Sequence, residues 1–384
     1  MPESFLSPSR YVTQDGAVRG VGAAVARLGD KAAVVAGERG LRPVREELEA
    51  GLAGAGVAAV WLTHSGPCSP AAVTRLVAGA ADCDVVVGVG GGRALDVTKW
   101  VADTLGVPYV LVPTSPATCA AATALVVEYS DEGVYQRGRM VAQAAAYAFA
   151  DPGVLAAAPD RLLVAGVIDA LAKAVEVRYA ASRLGKSSAA LAAALSLCDA
   201  LEQELFAGAE AVFGTGAAPG AAGPAGESAQ AHPTPVAGTS AARRRLAEVA
   251  VLWPGIIGAL ASEEAKLAAA HAVYNALTLL PGCRAYLHGE VMALGILAQL
   301  ALEGRPDADL ERTARFFALL GCPAGLAGVG CEAYLADAGA RRAVLERACV
   351  LPSLRAGFPD AGPEDLEAAV ARADEVARAA LRPT

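Results

Sequence analysis

The chain contains four histidines, His64, His232, His271 and His288, and two of them stand where a metal could be held. His271 opens the run His-Ala-Val-Tyr-Asn-Ala-Leu-Thr inside an otherwise apolar helical pattern. His288 precedes Gly289 and Glu290 at the start of another helix, and a loop at Pro281-Gly282 lets the two helices turn back on each other. That arrangement can bring both imidazoles to one cavity. Asp169 lies in Gly166-Val-Ile-Asp-Ala-Leu-Ala-Lys-Ala-Val175, surroundings in which a carboxylate needs a cation or a hydrogen-bond partner. One aspartate and two histidines make three ligands for a divalent ion and leave a position open for a substrate oxygen. The same residues also suit two hydrogen-bonded core histidines and an i,i+4 pair of Asp169 with Lys173. His64 reads as a loop residue after a strand, and His232 as a solvated residue in Gly-, Ala- and Pro-rich sequence.

A second stretch could bind an anion. Gly88-Val-Gly-Gly-Gly-Arg-Ala-Leu-Asp-Val-Thr-Lys99 follows the β-branched run Cys83-Asp-Val-Val-Val87 and precedes a helical pattern over Ala94 to Leu105. Gly90, Gly91 and Gly92 therefore sit where a strand turns into a helix. Three glycines remove every Cβ from that turn, so backbone can approach a ligand while the helix N-terminus aims N–H groups at it. A pyrophosphate is the simplest fit. The spacing is not G-x-G-x-x-G, and a tight strand-to-helix turn without a ligand is the plainer alternative.

These residues need a frame to hold them. Strands are expected at Arg10 to Thr13, Lys31 to Ala36, Val57 to Leu62, around Val85, at Val107 to Val112 and at Tyr147 to Asp151. Helical patterns fall between them, near Val18 to Arg27, Leu41 to Ala53 and Ser69 to Ala80. Ala124 to Glu128 and Gly133 to Arg137 flank Tyr129 to Glu132 as a hairpin. Alternation of this kind predicts an α/β domain with a doubly wound parallel sheet over residues 1–151. From Pro152 the strand pattern stops. Helices are expected at Pro159 to Tyr179, Ser187 to Leu205, Arg243 to Ala261, Ala265 to Leu280, Glu290 to Leu302, Glu311 to Leu320, Ala333 to Arg347 and Pro363 to Leu381. Residues 152–384 thus read as an all-helical domain, interrupted by a flexible insertion over 208–242 whose composition cannot bury enough surface to order itself.

Composition narrows the function classes. A chain of 384 residues is long enough for two domains with large cores. A net charge of −8 argues against a nucleic-acid surface. No run is long and apolar enough to span a bilayer, and the opening Met-Pro-Glu-Ser-Phe lacks a signal-peptide layout, so a soluble cytoplasmic protein is expected. Eight cysteines without a CxxC pair suggest neither a zinc finger nor a disulfide framework.

Several motifs, in one order along the chain, carry a family resemblance. They are the Gly-Val-Gly-Gly-Gly-x-x-Leu-Asp-x-x-Lys99 run, Leu-Gly-Val-Pro with Val-Pro-Thr114, and Tyr-Ser-Asp-Glu-Gly133. Pro159-Asp-Arg-Leu-Leu with Gly166 to Leu171, Ala269-Ala-His-Ala-Val-Tyr-Asn-Ala-Leu-Thr278 and His288-Gly-Glu follow. The chain resembles the glycerol dehydrogenase branch of the iron-containing (group III) alcohol dehydrogenases, over nearly its whole length outside the insertion. The resemblance implies a nucleotide-binding domain followed by a helical domain, and NAD(H)-linked oxidation of an alcohol or reduction of a carbonyl. It implies metal ligands at Asp169, His271 and His288, with zinc ahead of iron. It implies pyrophosphate contacts at Gly90, Gly91 and Gly92 and further cofactor contacts at Thr114, Thr118, Thr123, Leu125 and Tyr129. Glu38 falls where the family often has an aspartate for the adenosine ribose, which favours NAD over NADP. The metal would lower the pKa of the substrate hydroxyl, and hydride would pass to the nicotinamide across a cleft between the domains. Small-molecule alcohols or carbonyls are the expected partners, in a homo-oligomer.

The departures bear on the substrate. Cys119 stands where the glycerol branch has an aspartate that contacts substrate hydroxyls, and a thiol is a weak partner for a polyol. Tyr274 stands where many members of that branch have a further histidine. A sugar-phosphate cyclase, a lyase of the related dehydroquinate-synthase-like fold, is an alternative that needs clustered basic residues; a non-catalytic NAD-binding protein is another.

Overall fold

The computed structural model describes residues 6–185, 188–214, 241–261 and 268–381. His232 lies outside the described residues, as does most of the proposed insertion. The chain divides into two compact units: one holds the residues up to Ala158 with a later stretch ending at Ala259, and the other starts at Pro159 and resumes at Leu260.

The first unit is built on β1 (Tyr11–Thr13), β2 (Lys31–Ala36), β3 (Ala58–Thr63), β4 (Val85–Gly90), β5 (Tyr109–Pro113), β6 (Leu125–Tyr129), β7 (Tyr135–Met140) and β8 (Tyr147–Ala150). Six of these form one sheet in the order β1-β8-β5-β4-β2-β3, and every pairing in it is parallel. All residues of β4 and β5 are buried, as β-branched strands covered on both faces should be. The chain runs outward from β2 to β3 and then returns to place β4 on the other side of β2. That reversal opens a crevice beyond the carboxyl ends of β2 and β4, where ligands of open α/β sheets bind. The glycine turn closes β4 at this place.

Some elements differ from the sequence reading. Tyr129 ends β6 rather than lying in the hairpin turn, and β6 pairs antiparallel with β7 through an irregularity at Glu128/Tyr129. The helix expected near Val18 to Arg27 is a 3-10 turn, Ala17–Gly20, followed by the short helix Val21–Val25. The helix expected over Ala333 to Arg347 breaks at Asp337, whose carboxylate accepts the N–H groups of Gly339 and Ala340 and so starts a new helix, Ala338–Val350. The insertion does not begin at Gly208, because the Ala189–Phe213 helix continues through it to bury Ala209 and Phe213. Nor does it extend to 242, since the next helix is already formed at Ala241.

That helix, Ala241–Leu260, packs with the sheet unit, although a boundary near Asp151 would assign it to the helical domain. Arg243 donates to the carbonyls of Ala156 (2.7 Å) and Ala158 (2.8 Å), and Gly255 sits so close to Ala122 that a Cβ there would come within 2.4 Å of the Ala122 Cβ.

The second unit is helical. Its central element is His288–Leu302, buried at every residue from Gly289 to Leu300. A helix buried on all sides belongs in the middle of a bundle. Two glycines let its neighbours close in. A Cβ on Gly289 would lie 1.8 Å from the Ala165 carbonyl oxygen of the Asp160–Leu184 helix. One on Gly295 would lie 2.5 Å from the Ala270 carbonyl oxygen of the Ala269–Leu277 helix. Among the described residues no helix is long and apolar enough to cross a membrane.

Candidate metal and nucleotide sites

In the helical unit, three helices bring Asp169, His271 and His288 together. One ligand atom from each lies within 4.8 Å of the others. Asp169 Oδ1 is 3.0 Å from His288 Nε2 and 3.9 Å from His271 Nε2. The close crossing at Gly289 sets the first of these distances, because it carries the start of the His288 helix onto the Asp169 helix. Glu290 fixes that start. Its carboxylate accepts the Leu287 N–H (2.7 Å) and the guanidinium of Arg161 (2.5 and 2.8 Å), tying the two helices at one point.

His271 is held from behind. Its Nδ1 lies 2.5 Å from Glu176 Oε2, and Glu176 also accepts the N–H groups of Ala268 and His271, each at 2.9 Å. Facing a carboxylate, Nδ1 donates to Glu176, which leaves Nε2 as the ring atom directed toward Asp169. Glu176 is fully buried. Burial pushes its carboxyl pKa up, but the charge and hydrogen bonds of His271 outweigh that and hold it below the ordinary range. Asp169 behaves alike: burial raises it, and His288, then His271 and Lys173, bring it below normal. A buried carboxylate and two imidazoles converging on one point form a donor set that suits a divalent ion. The Tyr274 ring packs edge-on against His288 with centroids 4.2 Å apart.

Sequence reasoning missed Glu176 and the role of Glu290. The signal for Glu176 was present: it lies two helical turns beyond Asp169, on the same face.

In the sheet unit, Gly90 has φ +139°, a conformation open to glycine, and Gly91 caps the Gly92–Leu105 helix without any side-chain hydrogen bond. Gly40, in the short helix Glu38–Leu41 after β2, approaches this point so closely that a Cβ on it would lie 2.9 Å from the Gly90 Cα. Thr114 locks the two together, donating from Oγ1 to the Gly40 carbonyl (2.8 Å) and from its N–H to that of Gly90 (3.0 Å). A Cβ on Gly92 would meet Thr118 Oγ1 at 2.8 Å. Gly90, Gly91, Gly92, Thr114 and Thr118 therefore share one corner of the crevice.

The remaining residues lie further out. Thr123 Oγ1 accepts the Leu125 N–H (2.8 Å) at the start of β6. The Leu125 carbonyl accepts from Lys99 (2.8 Å), which is fully buried and paired with Asp96 at 2.9 Å. Asp96 also accepts the Val127 N–H (3.1 Å), so the Leu-Asp-x-x-Lys part of the motif clamps the hairpin to the helix. Tyr129, at the other end of β6, packs against Tyr135. Glu38 opens the Glu38–Leu41 helix with its side chain exposed, 3.1 Å from Arg45. Cys119 precedes the 3-10 turn Ala120–Ala122 and is half-buried. All of these belong to the sheet unit, and the Asp169 cluster belongs to the helical one.

Comparison with known proteins adds an independent finding. Residues 8–152 match the family model described as iron-containing alcohol dehydrogenase. The chain is 32% identical to the glycerol dehydrogenase of Escherichia coli O6:H1 over 98% of this chain and 97% of that protein. It is 31% identical to the glycolaldehyde reductase of Halobacterium salinarum over 86% of each. Its fold matches the crystal structure of a probable glycerol dehydrogenase from Sinorhizobium meliloti 1021 with a TM-score of 0.81 and 25% identity, covering 98% of this chain and 99% of the other.

Proposed function

We propose that this chain, which belongs to the iron-containing alcohol dehydrogenase family, moves a hydride between a small alcohol, or its aldehyde or ketone, and the nicotinamide of NAD(H) with the help of one divalent metal ion. The observation that carries the reading is the convergence of Asp169, His271 and His288, with Glu176 fixing the tautomer of His271. A divalent ion at such a site supplies Lewis-acid polarisation of the substrate oxygen. Asp169, His271 and His288 would hold it, and Glu176 and the Arg161–Glu290 pair keep them in place. Zinc is proposed ahead of iron, because nitrogen and oxygen donors bind Zn²⁺ more tightly than Fe²⁺.

The backbone at Gly90, Gly91 and Gly92 would receive the cofactor pyrophosphate, with Thr114 and Thr118 bracing the turn. Thr123, Leu125 and Tyr129 are proposed as further cofactor contacts. Glu38 would accept from ribose hydroxyls and repel a 2′-phosphate, so NAD is preferred to NADP. Orientation and charge stabilisation are the protein's share, while hydride chemistry belongs to the cofactor.

Substrate choice is proposed to turn on Cys119. The named relatives include glycerol dehydrogenases and a glycolaldehyde reductase. A thiol at this position offers no charged acceptor for a second hydroxyl. A charge-assisted hydrogen bond contributes about 1.5–3 kcal/mol, so glycerol should be used about one to two decades less well than with a carboxylate there. Cys119→Asp should raise kcat/KM for glycerol relative to a monohydric alcohol. An unmodified enzyme that prefers glycerol over every alcohol tested would refute this part. A panel of alcohols assayed for NADH accumulating in step with oxidised product tests the reading as a whole, and turnover without net NADH would point to a lyase.

A further inference from the structure

The short helix Glu38–Leu41 rests on the glycine turn, with Gly40 against Gly90 and Thr114 tying the two. Residues 38–45 hold one acid, Glu38, and three arginines, Arg39, Arg42 and Arg45. Arg45 opens the helix Arg45–Gly54 and reaches back to the acid, its Nη2 lying 3.1 Å from Glu38 Oε2. Its Nη1 is 3.2 Å from Glu49 Oε1, and its guanidinium lies 5.9 Å from the centre of the Trp61 ring on β3. Glu49 and Trp61 therefore hold Arg45 in place without Glu38. The Glu38 side chain is 79% exposed and that of Arg45 40%, so a ligand can reach either. Arg75 adds a positive charge at the end of β3, donating to the Thr63 carbonyl at 3.1 Å.

Near an adenosine ribose, an acid marks NAD because it accepts from the 2′-hydroxyl, and an arginine suits the 2′-phosphate of NADP. Here the two stand side by side and bind each other. A carboxylate as exposed as Glu38 repels a phosphate only weakly, since water and salt screen the charge. It is also free to turn toward solvent. Arg45 then has an N–H group released for a phosphate oxygen, and charge-assisted bonds of this kind are among the stronger ones.

We propose that Arg45 is a specificity-determining residue at the adenosine end, receiving the 2′-phosphate of NADP(H) when Glu38 turns away, so that NADP(H) serves as a second, weaker cofactor; this rests on the NAD(H) reading above. Arg45 Nη2 is the donor that changes partner, while Nη1 stays with Glu49. The charge of Glu38 keeps NAD(H) ahead without shutting NADP(H) out.

The test measures dissociation constants of NADH and NADPH, and of their adenosine halves AMP and 2′,5′-ADP, by fluorescence or calorimetry. The parent should bind NADPH measurably but more weakly than NADH. Arg45→Ala should weaken NADPH and 2′,5′-ADP about fivefold more than it weakens NADH and AMP, the scale of an exposed charge pair. Glu38→Gln should tighten NADPH, and adding Arg45→Ala to it should remove that gain. Both side chains are open to solvent, so the thermal midpoints of these variants should stay near that of the parent. A parent that binds NADH and not NADPH would overturn the proposal. Equal effects of Arg45→Ala on NADH and NADPH would overturn it too, as would a gain in Glu38→Gln that survives the loss of Arg45. A parent that binds neither dinucleotide would defeat the NAD(H) reading and this proposal together.

Discussion

At the scale of single residues, the account depends on Glu176 as much as on the three candidate ligands. A ligating histidine whose other nitrogen faces a carboxylate has its tautomer and ring angle set in advance. Glu176→Gln keeps the shape but weakens the hold on His271 Nδ1, and metal affinity should fall about 10–100-fold with the fold intact. Competition with a chelating dye measures this directly. Unchanged affinity would mean that Glu176 only fills space. Asp169 and the two histidines were legible because ionisable residues are rare on apolar helices and therefore need partners. Glu176 was not singled out, since a lone glutamate on a helix is usually solvated. Only the burial of Asp169, two turns earlier on the same face, implies that Glu176 is buried too. The Leu-Asp-x-x-Lys run carries a similar lesson. Its charged pair reads as part of the run that carries the family resemblance, and in the fold Asp96 and Lys99 anchor β6 to the helix after the glycine turn.

At the scale of elements, close helix crossings decide where the ligands meet. Gly289 leaves no room for a side chain against the Ala165 carbonyl. Gly289→Ala should therefore push the His288–Leu302 helix away, cost about 1–3 kcal/mol of stability and lower metal affinity. Chemical denaturation and the chelator assay check the two effects. Normal stability with normal affinity would show that the crossing is not needed. Strands β2, β4 and β5 were legible because each is a short, nearly unbroken apolar run, as buried parallel strands are. Helix ends were harder. Leu201, Leu205, Ala209 and Phe213 recur every fourth residue and are all buried, so the apolar stripe carries the helix through Gly208. The glycine costs about 1 kcal/mol in a helix, and burying a phenylalanine contributes about 1.5–3 kcal/mol, so burial wins. Asp337 breaks an apparently continuous helix because a local cap competes with helix propagation, a choice set by tertiary context.

At the scale of the whole molecule, the chain builds a parallel-sheet unit with a phosphate-type turn and a helical unit with a metal-type cluster. The order of strands and helices was legible in the sequence. The return of the Ala241–Leu260 helix to the sheet unit was not, because it rests on long-range contacts such as Arg243 with Ala156 and Ala158. The central claim is that one metal site, made by Asp169, His271 and His288, enables NAD-linked alcohol oxidation. The most direct measurement titrates chelator-stripped protein with Zn²⁺, following bound metal and NADH formation from an active alcohol together. The account predicts that activity rises in proportion to bound metal, saturates at a single ion per chain, and is lost along with that ion in a folded His271→Ala variant. Full activity in protein shown to contain no metal, or metal-supported activity undiminished in His271→Ala, would contradict it.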